Sequence, residues 1–202
     1  PETIDKITRD DLFVHYQANY SMNGCRIFLS GNFSDQTLEL ITQSLGSVVL
    51  SNLTPIPKIS EQSIPSPSKQ IMNIEDSVQT SIRLGRRMFK RDHPDFEAMF
   101  MLNTLLGGYY GSRLMQNLRE KKGLTYHIYS SLDTFLFGGY FLISTEVDKS
   151  RSELALNQIK KEIKRLQDQP VPARELQTVK HYLKGSFLNY FENAFAYSEL
   201  VR

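Results

Sequence analysis

The sequence predicts an α+β fold, a two-layer α/β sandwich in which helices cover one face of a mixed, largely antiparallel sheet. Three observations carry this. Val78, Thr80, Ile82 and Leu84 alternate with Gln79, Ser81 and Arg83, the period of two of a strand with one buried face. Two more strand-like segments, 125–133 and 139–147, meet around Phe137-Gly138-Gly139, a hairpin signal. Several segments repeat apolar residues at helical spacing, as in Leu156, Ile159, Ile163 and Leu166.

Each element has a local reason. Thr8-Arg-Asp-Asp11 reads as a capping box with Asp in place of Glu, and opens a helix over about 9–20 with Leu12, Phe13 and Tyr16 on one face. Residues 25–31 read as a short buried strand. Ser34 caps a helix over 35–46 with Leu38, Ile41 and Leu45 as its apolar positions. Pro94 opens a helix over 95–106 that is apolar on most sides, as buried helices are, and Gly107-Gly108 end it. Ser112 caps a short helix over 113–121, which Gly123 stops. Asp148 caps a helix over 149–167. Pro172 starts a last helix that meets no stop signal before Arg202.

Residues 51–70 are rich in Ser and carry Pro55, Pro57, Pro65 and Pro67. The 50 residues before them are too few for an independent core, so the stretch reads as a long loop inside a single domain, 1–202. A first residue Pro1 and a last helix without a stop read as cut or processed ends, as expected of a fragment of a longer chain. The net charge of +2 comes from scattered basic residues, which argues against nucleic acid or membrane as partner. No apolar run reaches the roughly 18 residues that span a bilayer. Cys25 is alone, which excludes an internal disulfide, and its apolar surroundings in sequence predict a buried, inert thiol.

Most of the usual chemical signatures are missing. The histidines are His15, His93, His127 and His181, and no H-E-x-x-H or H-x-x-E-H occurs. His93-Pro-Asp-Phe-Glu97 has the wrong spacing, and Pro94 would break the helix that such a motif needs. There is no G-x-S-x-G. Gly107-Gly108-Tyr-Tyr-Gly111-Ser-Arg113 lacks the Lys of a phosphate loop, so its glycines read as a helix stop and a tight turn.

One stretch stands apart, Ser112-Arg-Leu-Met-Gln-Asn-Leu-Arg119-Glu-Lys-Lys-Gly123-Leu-Thr-Tyr126. It puts a guanidinium on a helix and, past the glycine that ends it, a phenol at the mouth of a strand. Such a pair suits gripping a peptide carbonyl or carboxylate. The plainer reading is a solvated surface helix, Arg119-Glu-Lys-Lys122, with a tyrosine packed against it.

Together with Asn103-Thr-Leu-Leu-Gly107-Gly108, this stretch resembles the carboxyl-side, non-zinc domain of the pitrilysin/insulinase-type zinc metallopeptidases (inverzincins) and their processing-peptidase relatives. Tyr20-Ser-Met-Asn23, Phe28-Leu-Ser-Gly31-Asn32 and Gln79-Thr-Ser-Ile-Arg-Leu-Gly85 extend the resemblance over nearly the whole chain. It implies a zinc endopeptidase acting on unfolded peptides, built from two homologous halves. The zinc cofactor sits on an H-x-x-E-H motif in an upstream domain or on a partner subunit, and activates water there. This chain supplies no metal ligand and, alone, cleaves nothing. Arg119 and Tyr126 fall on the positions that hold the substrate backbone and the oxyanion. The resemblance also allows a dimer, and allows a non-catalytic scaffold or regulatory subunit with the same fold.

Overall fold

The computed structural model of the chain describes residues 3–20, 25–46, 68–135 and 137–201. The chain divides into two compact units, Pro1–Lys58 with Gly185–Arg202, and Ile59–Lys184. Most of the Pro- and Ser-rich connection predicted over 51–70 lies outside the described residues.

In the first unit, α1 (Arg9–Asn19) starts on the predicted capping box. The Thr8 hydroxyl accepts from the Asp11 N–H at 3.2 Å, and the Asp11 carboxylate accepts from the Thr8 N–H at 2.9 Å. These bonds hold the Asp11 carboxyl below its usual value. Helix α2 (Asp35–Gly46) follows as expected. The predicted apolar face of α1 is solvent-facing within this chain, with Leu12, Phe13 and Tyr16 all exposed.

The strand predicted over 25–31 is not formed. Residues 25–30 have no regular structure, and Cys25 is exposed rather than buried. A short apolar run signals burial but does not name a partner, and a strand exists only where a neighbour completes its ladder. The single last helix is also corrected. Helix α5 (Ala173–Leu188) gives way to a 3₁₀ turn (Asn189–Phe191) and then to α6 (Ala194–Val201). The Asn193 side chain accepts from the Ala196 N–H at 2.8 Å, so an asparagine cap restarts the helix.

The second unit holds a three-stranded antiparallel sheet of order β1-β3-β2, formed by β1 (Gln79–Met88), β2 (Ile128–Phe135) and β3 (Gly138–Asp148). Phe135 pairs with Gly138, which closes the predicted hairpin. Thr145 lies between Ile82 and Ile128 in the register, and Ile143 lies between Leu84 and Ser130, so one face presents an apolar row. Helices cover that face. Leu106, Leu114, Met115, Leu118 and Leu124 pack with Ile128, Ile143 and Val147 from the sheet, and with Ala155 and Ile159 from α4 (Ser152–Asp168). The α4 stripe is the one legible in the sequence, with Ile163 and Leu166 at the edge of the core.

The helix expected over 95–106 starts later and changes character. Helix α3 (Phe96–Asn103) leaves Phe100 and Leu102 exposed, so it is not the buried helix that its composition suggests. Burial is concentrated in the π-helical continuation Thr104–Gly108, where Thr104, Leu105, Leu106 and Gly107 are buried. The Ser130 hydroxyl of β2 donates to the Asn103 carbonyl at 3.1 Å and ties this segment to the sheet.

Candidate functional site

Arg119 lies in a second π-helical segment, Met115–Lys121, where Met115 and Leu118 are buried and anchor the helix. Segments of this kind recur at functional sites because the wider turn re-aims a side chain. The end is set by Gly123 at φ +56°, a left-handed conformation natural to glycine. Its N–H donates to the Arg119 carbonyl at 3.0 Å, and the Leu124 N–H donates to the Leu118 carbonyl at 2.8 Å. Leu118 and Leu124, both buried, fix the turn that carries the chain back to the sheet.

Tyr126 is positioned by a hydroxyl network rather than by packing, since it is 84% exposed. The Thr125 hydroxyl lies 2.7 Å from the Glu146 carbonyl of β3 and accepts from the His127 N–H at 3.2 Å. The buried Thr145 hydroxyl sits 2.9 Å from both Thr125 Oγ1 and the His127 carbonyl. Thr125→Val keeps the shape and removes this latch. It should speed amide exchange at His127 with little change in Tm, as hydrogen-exchange NMR would show.

The structure brings the two predicted residues together. The Arg119 guanidinium carbon lies 4.9 Å from the centre of the Tyr126 ring and 5.0 Å from that of the Tyr110 ring. Both distances are within cation–π range. The Glu120 carboxylate completes the group: its Oε1 is 3.5 Å from Arg119 Nε and accepts a hydrogen bond from the Tyr110 hydroxyl at 2.8 Å. That bond raises the Tyr110 phenol above its ordinary pKa. The arrangement presents a fixed cation and an accessible phenol, both hydrogen-bond donors, at one helix-to-strand junction.

Tyr110 and Glu120 were not legible as site residues. Tyr110 sits in a glycine-rich stretch that reads as a turn, and Glu120 in a charge run that reads as solvated. Ser112, expected to cap the helix with its side chain, is instead fully buried, and its hydroxyl has no partner among the described residues. The Ser112 carbonyl accepts from the Gln116 N–H at 2.9 Å, so the backbone starts this turn.

Beside the junction lies a second polar cluster that the sequence does not announce. Arg113 Nε and Nη2 each donate to Glu175 carboxylate oxygens at 2.7 Å, a bidentate pair joining residues 62 positions apart. The Arg113 hydrogen bond holds the Glu175 carboxyl below its ordinary value. Asn117 Nδ2 donates to Glu162, a buried carboxylate on α4, at 2.7 Å. Among the described residues no three of His, Cys, Asp and Glu converge to hold a metal ion. No helix among them is long and apolar enough to cross a membrane.

The described residues thus form a helix-backed antiparallel sheet of an α+β fold, with Arg119 and Tyr126 at one helix-to-strand junction. The family description "peptidase M16 inactive domain" matches residues 6–183, and the chain belongs to that family. It is 30% identical over 140 residues to an uncharacterized zinc protease of Mycobacterium leprae, a match covering 68% of this chain and 32% of that protein. It is 27% identical over 195 residues to a non-peptidase homologue of Helicobacter pylori, covering 92% of this chain and 43% of the relative. Among solved structures, a peptidase M16 inactive domain from Pseudomonas fluorescens superposes with a TM-score of 0.77 at 30% identity, covering 92% of this chain and 45% of the other. The chain thus spans less than half the length of these relatives.

Proposed function

We propose that this domain is the substrate-gripping half of a zinc-dependent endopeptidase acting on unfolded peptides. In this reading the zinc is held by a second domain, upstream in the same chain or on a partner subunit. The observation that carries the reading is the convergence of Arg119 and Tyr126 at the helix-to-strand junction. The Arg119 guanidinium holds a backbone carbonyl of the peptide and keeps it in register. The Tyr126 hydroxyl, exposed and tethered through Thr125, donates to the oxyanion that forms at the scissile carbonyl. Family membership and zinc-protease relatives support the class of reaction.

The test is turnover of an unstructured peptide by the complete protein. Tyr126→Phe keeps the ring beside Arg119 and removes only the donor, and should lower kcat by about 10²-fold, the usual cost of one oxyanion donor. Arg119→Ala should lower kcat/KM to a similar degree, with Tm nearly unchanged for both. Wild-type rates in both variants end the reading.

A second reading is a non-catalytic scaffold or regulatory subunit, and the non-peptidase relative of Helicobacter pylori favours it. An intact H-x-x-E-H in the zinc-side half of the complete protein, with turnover sensitive to Tyr126, decides for the enzyme.

A further inference from the structure

An arginine with an open edge binds a carboxylate better than a carbonyl, because its planar fork matches two oxygens and the charges attract. Arg119 keeps such an edge only at its Nη end. Its Nε side faces the Glu120 carboxylate at 3.5 Å, and the Tyr110 and Tyr126 rings lie within 5.0 Å of its central carbon. Its two Nη groups have no hydrogen-bond partner among the described residues, so they are what a ligand can use. A ligand oxygen arriving there meets two N–H donors and, just behind them, a negative charge.

For a neutral peptide carbonyl that charge is nearly indifferent. For a peptide's terminal carboxylate it is repulsive and offsets the attraction of the guanidinium. Glu120 does not swing away freely, because the Tyr110 hydroxyl donates to the oxygen that faces Arg119. Tyr110 therefore sets the position of the carboxylate and also stacks on the cation that the carboxylate faces.

We propose that Glu120, held by Tyr110, is a specificity-determining residue that makes Arg119 select internal peptide carbonyls over a terminal carboxylate. The domain then favours cleavage within a chain over trimming of its carboxyl end. This deepens the proposed function and rests on Arg119 contacting substrate; Tyr110 is a positioning residue that acts through Glu120.

The experiment uses the complete protein and two probes, acetyl-trialanine with a free carboxylate and acetyl-trialanine amide, with each Kd taken from an NMR titration. The wild type should bind the amide more tightly. Glu120→Gln should shift the amide-to-acid ratio of affinities towards the acid by roughly tenfold, the size expected for removing one partly screened charge at this range. Glu120→Asp should keep most of the wild-type preference, and Tyr110→Phe should shift the ratio in the direction of Glu120→Gln, but less. Arg119→Ala should lose both probes. If Arg119→Ala loses binding but Glu120→Gln leaves the ratio at its wild-type value, the selectivity proposal is overturned and Arg119 remains a peptide contact. If Arg119→Ala binds both probes as the wild type does, the substrate-gripping reading fails, and the selectivity proposal with it.

Discussion

Glu175→Ala lowers the stability of this chain by about 3 kcal/mol or more, the loss typical of stranding one member of a buried ion pair. The reason lies in which partner is left behind. The Arg113 side chain is 8% exposed, whereas that of Glu175 is 29% exposed. Without Glu175 the guanidinium stays buried, and its Nη1 already has no hydrogen-bond partner among the described residues. The nearby Glu162 carboxylate attracts the cation and offsets part of the loss. The reverse change, Arg113→Met, leaves a carboxylate that reaches water and puts an apolar chain of similar length in the buried slot. It should cost less, about 1–2 kcal/mol. Urea unfolding of the two variants reads the asymmetry directly, and equal losses would mean that the pair is not buried as described.

The same pair sets a pH dependence. Its hydrogen bond to Arg113 depresses the Glu175 carboxyl in the folded state relative to the unfolded chain. The stability it contributes is therefore fully present above the ordinary carboxylate value, near pH 4, and is lost as pH falls through the lower folded value. Wild-type stability should fall in that acid window, and the Glu175→Ala curve should be flatter there.

Nothing in the sequence pairs Arg113 with Glu175, and that marks where sequence reasoning stops. Periodic patterns are local, so the α4 stripe, the alternation of β1 and the capping box at Thr8 were all legible. Arg119 and Tyr126 stand in one short stretch whose glycine stop is itself visible, so their proximity could be anticipated. Contacts set by tertiary packing were not. Tyr110 reaches Glu120 across ten positions because the chain between them turns through a π-helical segment, and 3.6-residue periodicity does not foresee that geometry. The misread segment at 25–31 failed for the same reason, since its apolar residues describe a surface in want of a neighbour and not which neighbour supplies it. Gly107 was misread as a helix stop, because it lies buried inside the π-helical continuation Thr104–Gly108, and its closeness to β2 could not be read.

That closeness makes Gly107→Ala the second large effect, about 3 kcal/mol or more, at the upper end of overpacking costs. A methyl group at residue 107 would lie 2.5 Å from the Ser130 backbone nitrogen, 2.6 Å from its Oγ and 2.9 Å from its Cβ. Flexible side-chain ends can move aside, but the nearest atom here belongs to the backbone of β2, which pairs with β3 along its length. Relief requires the π-helical segment Thr104–Gly108 to lift off the sheet, which would expose Leu105 and Leu106 and break the Ser130–Asn103 hydrogen bond. A second substitution separates backbone from side-chain crowding. Ser130→Gly removes the Oγ and Cβ contacts and leaves the nitrogen, so the Gly107→Ala/Ser130→Gly double variant should recover only a minor part of the loss. Full recovery would show that the side chain, and not the strand backbone, sets the limit. Because the sheet that receives this helix also carries Tyr126 at the entrance to β2, a Gly107→Ala protein that still folds should show a displaced Tyr126 ring signal by NMR.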